Sequence, residues 1–312
     1  MTPRPSVRET PTTGTPTPGT PTPATPTDWP GCIVLGEGAP VVLLHSSLSS
    51  KSQWTALADR MSTRFRVIAL DLWGYGDHAM PAARHSFTLD DEVRLVAAHL
   101  SGLVEPRTRV HLVGHSYGGL VALRFAQSRS ERVASLSLYE PVAFRMLDDD
   151  DDALADARAI AESVQQLLET ERPRHAAHAF VDFWSGLGSY ASLSPWVRSG
   201  IARHIDKVPL DFQAAWRWKP GPDDLRAVTA PTLLITGNRS PAVSQRIVAR
   251  LARALPNRYV ASFDAGHMGP VTHPHLINPW IEAFVDRCAE RDAAPPIARA
   301  LVTPALWKSA AD

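Results

Sequence analysis

Apolar residues recur along the chain in short runs, separated by stretches in which apolar and polar positions alternate with a helical period. Runs that are rich in valine, isoleucine and leucine and end at glycine or polar turns predict buried strands. Such runs lie at residues 41–44, 65–70, 109–113, 132–139, 232–236 and 259–263. The stretches between them predict helices at residues 53–61, 89–101, 120–126, 242–255 and 274–290. This alternation predicts βαβ units, and therefore an α/β fold with a mostly parallel central sheet flanked by helices.

The alternation stops between residues 142 and 225, where no run predicts a strand. The segment holds a helical stretch at 153–170 and then an aromatic-rich part. We interpret residues 142–225 as a helical insertion, or lid, that packs over the sheet. Its acidic run at 148–152 could bind a metal ion, but such runs are more typical of a solvated helix start.

Two terminal segments differ in composition from the rest of the chain. Residues 1–28 are mostly threonine and proline. So few large apolar residues cannot bury enough surface to offset the entropy of ordering, so we expect a disordered, extended tail. Residues 291–312 are rich in alanine and proline, and we expect a second, loosely attached tail there. The folded core is then predicted to comprise residues 29–141 and 226–290.

Overall composition argues against several classes of partner. Lysine plus arginine number 32 and aspartate plus glutamate also number 32, so net charge gives no reason to expect nucleic acid or an anionic membrane. No apolar run approaches the roughly 18 residues that span a bilayer, and the N-terminus lacks the apolar core of a secretory signal. Cys32 and Cys288 lie far apart without metal-type spacing, which predicts reduced thiols in a cytoplasmic protein.

The hexapeptide at residues 114–119, Gly-His-Ser-Tyr-Gly-Gly, joins a predicted strand to a predicted helix. Glycines at 114 and 118 match the G-x-S-x-G nucleophile elbow, in which small flanking residues let a sharp turn expose the serine hydroxyl. The helix start also supplies free backbone N–H groups and the positive end of a dipole, both useful to a developing oxyanion. The pattern with this context predicts that Ser116 is a catalytic nucleophile.

With these elements in place, the chain resembles the α/β-hydrolase fold superfamily over about residues 31–290. The resemblance rests on the elbow at 114–119, the turn Asp-Leu-Trp-Gly-Tyr-Gly at 71–76, the strand and loop at 41–50 and the late Gly-His-Met at 266–268. It implies a helical lid inserted after the sixth strand of the family, where residues 142–225 stand. It also implies two short strands before Val41, for which only about ten residues of folded sequence are available.

The loop after the strand at 41–44 departs from the superfamily, which usually carries His-Gly there. This chain reads His-Ser-Ser at residues 45–47. By position, the resemblance assigns the oxyanion hole to the backbone N–H groups of Ser47 and Tyr117. Serine at 46 restricts the backbone and adds hydroxyl groups near the reacting atom, so we expect a modified oxyanion loop.

His267, in the loop after the last predicted strand, stands where the superfamily places its general base. Three other histidines are weaker candidates for that role. His111 lies within a strand and is better explained by packing, and His115 should point away from the serine. His45 belongs to the polar loop after an earlier strand.

The third triad member is the point at which this chain departs most from the superfamily. Members often place the acid in Gly-x-x-Asp after the strand at 232–236, but residues 237–240 read Gly-Asn-Arg-Ser. Glu140 ends the preceding strand, and the order Ser116, Glu140, His267 fits the nucleophile–acid–base order of this fold. Asp264 competes because it is close to His267 along the chain.

The combined expectation is a serine hydrolase without metal or organic cofactor, acting on a small carboxylic ester, thioester or lactone through an acyl-enzyme. Two alternatives stay open: a carbon–carbon bond hydrolase that uses the same triad, and a non-catalytic binding protein with a hydrolase fold. A haloalkane dehalogenase or epoxide hydrolase is disfavoured, because those enzymes use aspartate at the position of Ser116. The partner is a small-molecule substrate, and the oligomeric state is left open.

Overall fold

The computed structural model describes residues 30–293, and its organising element is a β-sheet. The predicted tail at 1–28, and all but three residues of the one at 291–312, lie outside the described residues. Over the described residues the sheet has seven strands in the order β1-β3-β2-β4-β5-β6-β7. The strands are β1 Cys32–Leu35, β2 Pro40–Leu44, β3 Arg66–Leu70, β4 Val110–His115, β5 Val133–Tyr139, β6 Thr232–Gly237 and β7 Arg258–Phe263. β1 pairs with β3 antiparallel, and the other pairs are parallel.

Helices flank this sheet and fill the long connection between β5 and β6. The helices are α1 Thr55–Met61, α2 Leu89–Leu103, α3 Tyr117–Ser128, α4 Asp152–Glu169, α5 Pro173–Ser185, α6 Ser189–Ser192, α7 Pro195–His204, α8 Val208–Arg217, α9 Pro222–Arg226, α10 Ala242–Ala254, α11 Gly269–Thr272 and α12 Pro274–Ala293. Thr88 and Asp91 form a capping box at the start of α2, as the serine/threonine-plus-acid pattern favours.

The central strands read as continuous apolar runs because both faces of the sheet are covered. Successive side chains of a strand point to opposite faces, so β2 contributes to two separate cores. Val42 and Leu44 pack with residues of α2 and α3, whereas Val41 and Leu43 pack with residues of α1 and α12. The prediction of a mostly parallel sheet between helical layers is confirmed.

The N-terminal edge of the sheet differs from what the resemblance implied. The described chain has a single strand before β2, namely β1, instead of two. β1 pairs with the outer edge of β3 from Cys32 to Leu35. Within the described residues, the helical segment follows β5 and precedes β6.

The segment between β5 and β6 is helical and has its own aromatic contacts. Phe144 stacks on Trp216 with ring centroids 4.6 Å apart and on Phe212 with centroids 5.7 Å apart. The acidic run lies at the start of α4, where the Asp151 side chain caps the helix by accepting from the backbone N–H of Ala153. Four of its carboxylates form ion pairs with arginine side chains, namely those of Arg145, Arg158, Arg246 and Arg250. The acidic run is therefore the start of a helix, and its carboxylates are ion-paired with arginines.

Two further structural findings concern the length of the helices and the state of the cysteines. None of the helices within residues 30–293 combines the length and the apolar character that crossing a bilayer requires. Cys32 and Cys288 are both buried free thiols, and burial raises the pKa of the Cys288 thiol to about 11.

His111 on β4 is a buried polar residue that makes stability depend on pH. Its ring is 2% exposed, and Nδ1 lies 2.7 Å from the Ser135 hydroxyl. Burial lowers the pKa of His111 to about 4, well below its ordinary value of 6.5. Between these two values the unfolded chain holds a proton that the folded chain does not. Stability is therefore fully present above about pH 6.5 and falls as the pH is lowered toward 4.

We predict that acidification from pH 7 to 4.5 lowers the melting temperature, and that His111→Gln flattens this dependence. One such group contributes at most about 1.4 kcal/mol per pH unit. The measurement is thermal unfolding at half-unit steps of pH. His85→Gln, at an exposed histidine, is the control and should keep the wild-type slope. Equal slopes for His111→Gln and wild type would refute the assignment.

Candidate active site

Ser116 occupies a sharp turn between β4, which ends at His115, and α3, which begins at Tyr117. A side chain at residue 114 would place its Cβ 2.5 Å from the backbone oxygen of Gly118. A Cβ at residue 118 would lie 2.3 Å from the carbonyl oxygen of His45. Only glycine fits at these two positions, because each backbone passes directly against another. The elbow predicted from the sequence is therefore present as a closely packed turn.

Ser116, His267 and Glu140 form a continuous hydrogen-bonded chain. His267 Nε2 lies 2.9 Å from Ser116 Oγ, and His267 Nδ1 lies 2.7 Å from Glu140 Oε2. All three side chains are buried, with Glu140 fully so. This arrangement can move a proton from the serine hydroxyl to the imidazole, while the carboxylate orients the ring and stabilises its cationic form.

The other oxygen of Glu140 is held by the adjacent strand. Oε1 accepts hydrogen bonds from the Thr236 hydroxyl at 2.8 Å and from the backbone N–H of Gly237 at 2.7 Å. These two donors fix the carboxylate and compensate its burial. The competing residue Asp264 lies elsewhere: its side chain is 74% exposed, and it pairs with Arg239 at 3.1 Å. The structure brings Glu140, and not Asp264, to His267.

The loop that carries His267 is fixed from beneath by two aromatic residues. His115 Nε2 donates to the backbone carbonyl of His267 at 2.8 Å, and the Tyr139 hydroxyl donates to the carbonyl of Gly266 at 2.7 Å. Burial lowers the pKa of His115 well below its usual value, so the ring is neutral, and the carbonyl acceptor selects the Nε2–H tautomer. His115 thus supports the site and does not face the serine hydroxyl, in agreement with its sequence interpretation.

Backbone strain is concentrated at this site. Among the described residues other than glycine, positive φ occurs at Leu48, Ser116, Glu140 and Glu171. The first three belong to the oxyanion loop, the elbow and the end of β5, with φ of 59°, 54° and 44°. Such conformations cost on the order of 1–3 kcal/mol each and persist where the surrounding structure fixes them.

Ser47 and Tyr117, predicted to form the oxyanion hole, line one small cavity together with Ser116. The cavity measures about 20 Å³, which is room for a single water molecule. Within the described chain, neither the Ser47 nor the Tyr117 backbone N–H donates to another protein group. Both amides are therefore available to a ligand oxygen in this cavity.

The hydroxyl groups of the oxyanion loop do not point at the reacting atom, contrary to expectation. The Ser46 hydroxyl donates to Gln53 Oε1 at 2.9 Å, and the Ser46 backbone N–H donates to the same oxygen at 3.0 Å. The Ser47 hydroxyl donates to Asp211 Oδ2 at 2.5 Å. Both hydroxyls thus hold the loop in place instead of extending the oxyanion hole, because buried acceptors lie within their reach.

A second, larger cavity of about 770 Å³ opens beside His267, and about half of the residues that line it belong to the segment between β5 and β6. Trp184 lines both cavities, and its ring centroid lies 4.4 Å from that of His267. Phe183 lines neither cavity and instead packs edge-on against Trp184. Trp184, together with Ser47 and Phe180, therefore lies at the boundary between the small cavity at Ser116 and the larger space. Within residues 30–293, no group of three or more His, Cys, Asp or Glu is arranged to hold a metal ion.

Sequence reasoning missed a buried ionic cluster that adjoins the small cavity. It comprises Glu92 on α2, Lys207 just before α8 and Asp211 on α8. Asp211 lines the small cavity together with Ser47 and Ser116. The i, i+4 spacing of Lys207 and Asp211 is a helical ion-pair signal, but the sequence alone gives such a pair a solvent-exposed interpretation. The burial becomes visible only once α8 is placed against the turn at 71–76.

The fold and the site together define an α/β protein with a buried Ser–His–Glu arrangement at the carboxyl edge of a parallel sheet. The characteristic pattern of the alpha/beta hydrolase family matches residues 41–280. The chain belongs to this family.

Relatives within the family differ in chemistry. Lipase LipV of Mycobacterium tuberculosis is 28% identical over 251 residues, which cover 76% of this chain and 89% of that protein. A haloalkane dehalogenase of Agrobacterium fabrum is 34% identical over 107 residues, so the match spans about a third of that relative's length. A thermophilic esterase from Thermogutta terrifontis is similar in structure, with a TM-score of 0.66 and 24% identity over 86% of this chain and 98% of that one. That likeness shows the shared fold.

The contacts of the two carboxylates generate a direct test. We predict that Glu140→Gln lowers kcat by at least about 10³-fold with little change in melting temperature, because it removes the charge facing His267 Nδ1. Asp264→Asn is the matched change on the exposed carboxylate and should cost less than about threefold. The measurement is steady-state hydrolysis of p-nitrophenyl butyrate. A crippled Asp264→Asn beside a nearly normal Glu140→Gln would reverse the assignment.

Proposed function

We propose that the protein is a serine hydrolase that cleaves a small carboxylic ester, thioester or lactone through an acyl-enzyme. The observation that carries this proposal is the hydrogen-bonded chain Ser116–His267–Glu140, with distances of 2.9 and 2.7 Å. Ser47 and Tyr117 line the same small cavity as the serine, and their backbone N–H groups have no protein acceptor among the described residues. A nucleophile, a base, an orienting acid and oxyanion donors are the parts that acyl transfer requires.

The reaction then proceeds in two balanced halves. In the first, Ser116 Oγ attacks the carbonyl carbon while His267 Nε2 takes the hydroxyl proton, and the carbonyl oxygen becomes an oxyanion held by the amides of Ser47 and Tyr117. His267 returns that proton to the leaving oxygen or sulfur, and the acyl-enzyme remains. In the second half, water gives its proton to His267 and attacks the acyl carbon. The proton then returns to Ser116 as the carboxylic acid leaves.

Glu140 supports both halves from the far side of the imidazole. Its carboxylate accepts from Nδ1, which leaves Nε2 free to act on the serine, and its charge favours the imidazolium that forms in each half. We propose that these steps use no metal or organic cofactor, and that Ser116, His267 and Glu140 act as nucleophile, base and orienting acid.

The cavities support an assignment of substrate parts. We assign the acyl group of the substrate to the space near Ser116 and the rest of the molecule to the apolar 770 Å³ cavity. The segment between β5 and β6 supplies most of the apolar lining, including Phe180, Leu193 and Ile201. On this view, residues 142–225 act as the lid that sets substrate choice, as we predict from the sequence.

Alternative functions give different outcomes in the same assays. A carbon–carbon bond hydrolase would leave simple esters poor substrates, and a non-catalytic binding protein would leave the serine unreactive. Haloalkane dehalogenase chemistry is disfavoured by Ser116, since an alkyl–serine ether could not be hydrolysed in the way an aspartyl ester can. We further propose a small-molecule substrate, no nucleic-acid partner and a cytoplasmic location. The balanced charge supports the absence of a nucleic-acid partner, and the two free thiols support the cytoplasmic location.

Serine reactivity tests the proposal. A fluorophosphonate should label the native protein at Ser116, and Ser116→Ala should abolish labelling and lower kcat for p-nitrophenyl butyrate by about 10⁴-fold or more. Ser101→Ala, at an exposed hydroxyl on α2, is the matched control and should react like wild type. A folded wild-type protein that takes no label and hydrolyses no ester in a panel of esters, lactones and thioesters would refute the proposed function.

The position of Trp184 yields a prediction on specificity. Trp184→Ala joins the two cavities, so it should raise the rate on p-nitrophenyl octanoate relative to the acetate by about tenfold or more. The ratio is the readout, because loss of the ring beside His267 also lowers absolute rates. Phe183→Ala removes a comparable ring that lines neither cavity, and it should lower the melting temperature while keeping the ratio. An unchanged ratio in Trp184→Ala would show that the ring is structural only.

A further inference from the structure

Three charged side chains meet in the interior between α2 and α8. Lys207 and Glu92 are fully buried, and Asp211 is 4% exposed. Lys207 Nζ lies 3.1 Å from Glu92 Oε1 and donates a second hydrogen bond to Asp211 Oδ1. Burial alone would lower the pKa of Lys207, but the two carboxylates outweigh it and raise that pKa. Lys207 is therefore a charged lysine inside the protein.

The surroundings of this lysine are built for a cation. Its Nζ lies within 5.2 Å of the ring centroids of Tyr75, Phe87 and Tyr117. Three aromatic faces around one ammonium group add cation–π stabilisation where water is absent. Three well-packed apolar side chains at these positions would often be at least as stable as one buried lysine and two carboxylates. A function for the charges is therefore worth seeking.

The contacts of Asp211 point to that function. Its Oδ2 accepts from the Ser47 hydroxyl at 2.5 Å and from the Tyr75 hydroxyl at 2.6 Å, while Oδ1 accepts from Lys207. Short hydrogen bonds to an ionised acceptor are the strong ones, so the Ser47 side chain is held firmly. Ser47 also lines the cavity at Ser116, and its backbone N–H has no protein acceptor among the described residues. A contact that holds the Ser47 side chain therefore also restrains the backbone of this residue.

The two partners come from different parts of the fold. Ser47 lies in the loop after β2, whereas Asp211 lies on α8 of the helical segment between β5 and β6. The bond joins residues that are 164 positions apart in the chain. The lid and the oxyanion loop are thus connected through one carboxylate. If α8 moves away from the sheet, Ser47 loses its acceptor.

We propose that Asp211 is a positioning residue that acts through Ser47, so that docking of α8 and assembly of the oxyanion hole are one event. Lys207 and Tyr75 hold the carboxylate, the carboxylate holds the Ser47 hydroxyl, and the Ser47 amide is thereby aimed at the oxyanion. The inference rests on the proposed serine hydrolase function, for which the oxyanion hole matters.

The test removes one hydroxyl. Ser47→Ala keeps the backbone amide but frees the loop, and it should lower kcat for p-nitrophenyl butyrate by about 10-fold or more while KM changes less than about threefold. Ser47→Thr retains a hydroxyl and should recover most of the loss. Ser52→Ala removes an exposed hydroxyl in the same region and should behave like wild type within about twofold.

A double-mutant cycle then identifies the route. Because Asp211 acts through Ser47, Asp211→Asn and Ser47→Ala should have effects on kcat that do not add, and the double variant should resemble the worse single one. Additive effects would overturn the inference. If Asp211→Asn does not fold, the two Ser47 variants decide alone.

The failures of the two proposals are distinguishable. An active, fluorophosphonate-labelled wild type whose Ser47→Ala variant loses only melting temperature overturns the positioning role and leaves the hydrolase function standing. A wild type that is neither labelled nor active overturns both. A lowered kcat with unchanged KM, restored by threonine, supports both.

Discussion

The parallel register of β4 and β5 is the constraint on which the site depends. His115 pairs with Tyr139, so the next residues, Ser116 and Glu140, leave neighbouring strands at the same level. The Ser116 amide still donates to the Tyr139 carbonyl at 2.9 Å, and the Glu140 amide donates to Ile235 at 3.0 Å. The backbone then turns sharply at both positions, with positive φ at Ser116 and at Glu140. Two strands that end together thus deliver a hydroxyl and a carboxylate on either side of one imidazole.

The third partner is held in the space between these strand ends by the strands themselves. Side chains from the ends of β4 and β5, His115 and Tyr139, bond to the carbonyls of the loop that carries His267. The strand after β5 supplies the two donors that hold Glu140. Because these contacts come from the sheet, the geometry of His267 and Glu140 is supported by regular secondary structure. This explains how the chain dispenses with the usual acid after β6, where Gly237 serves as a donor to Glu140 instead.

The sequence predicted the parts of the site that follow from local pattern and strand order. Glycines flanking Ser116, a carboxylate ending the next strand and a histidine after the last strand are all legible in the chain, and their contacts agree with the prediction. The oxyanion loop was only half predictable. Ser47 and Tyr117 line the cavity at Ser116, but the Ser47 hydroxyl bonds to Asp211, which is 164 positions away and could not be foreseen from the local sequence.

The charged cluster under α8 was beyond sequence reasoning for a physical reason. Helical spacing brings Lys207 and Asp211 together whether they face water or the interior. Their burial depends on how α8 packs against Glu92 and Tyr75, and no local pattern encodes that packing. At the sheet edge, the family resemblance implied two initial strands, and within residues 30–293 one strand, β1, precedes β2.

A covalent intermediate at Ser116 is the central claim of this account, and its direct detection is the sharpest measurement. The protein is mixed with p-nitrophenyl acetate, quenched with acid within the first turnover, digested and examined by mass spectrometry. The account predicts an acetyl group on the peptide that contains Ser116, together with a burst of p-nitrophenol proportional to the amount of protein. Hydrolysis that proceeds without a burst and with the acetyl group on another residue, or on none, would contradict it.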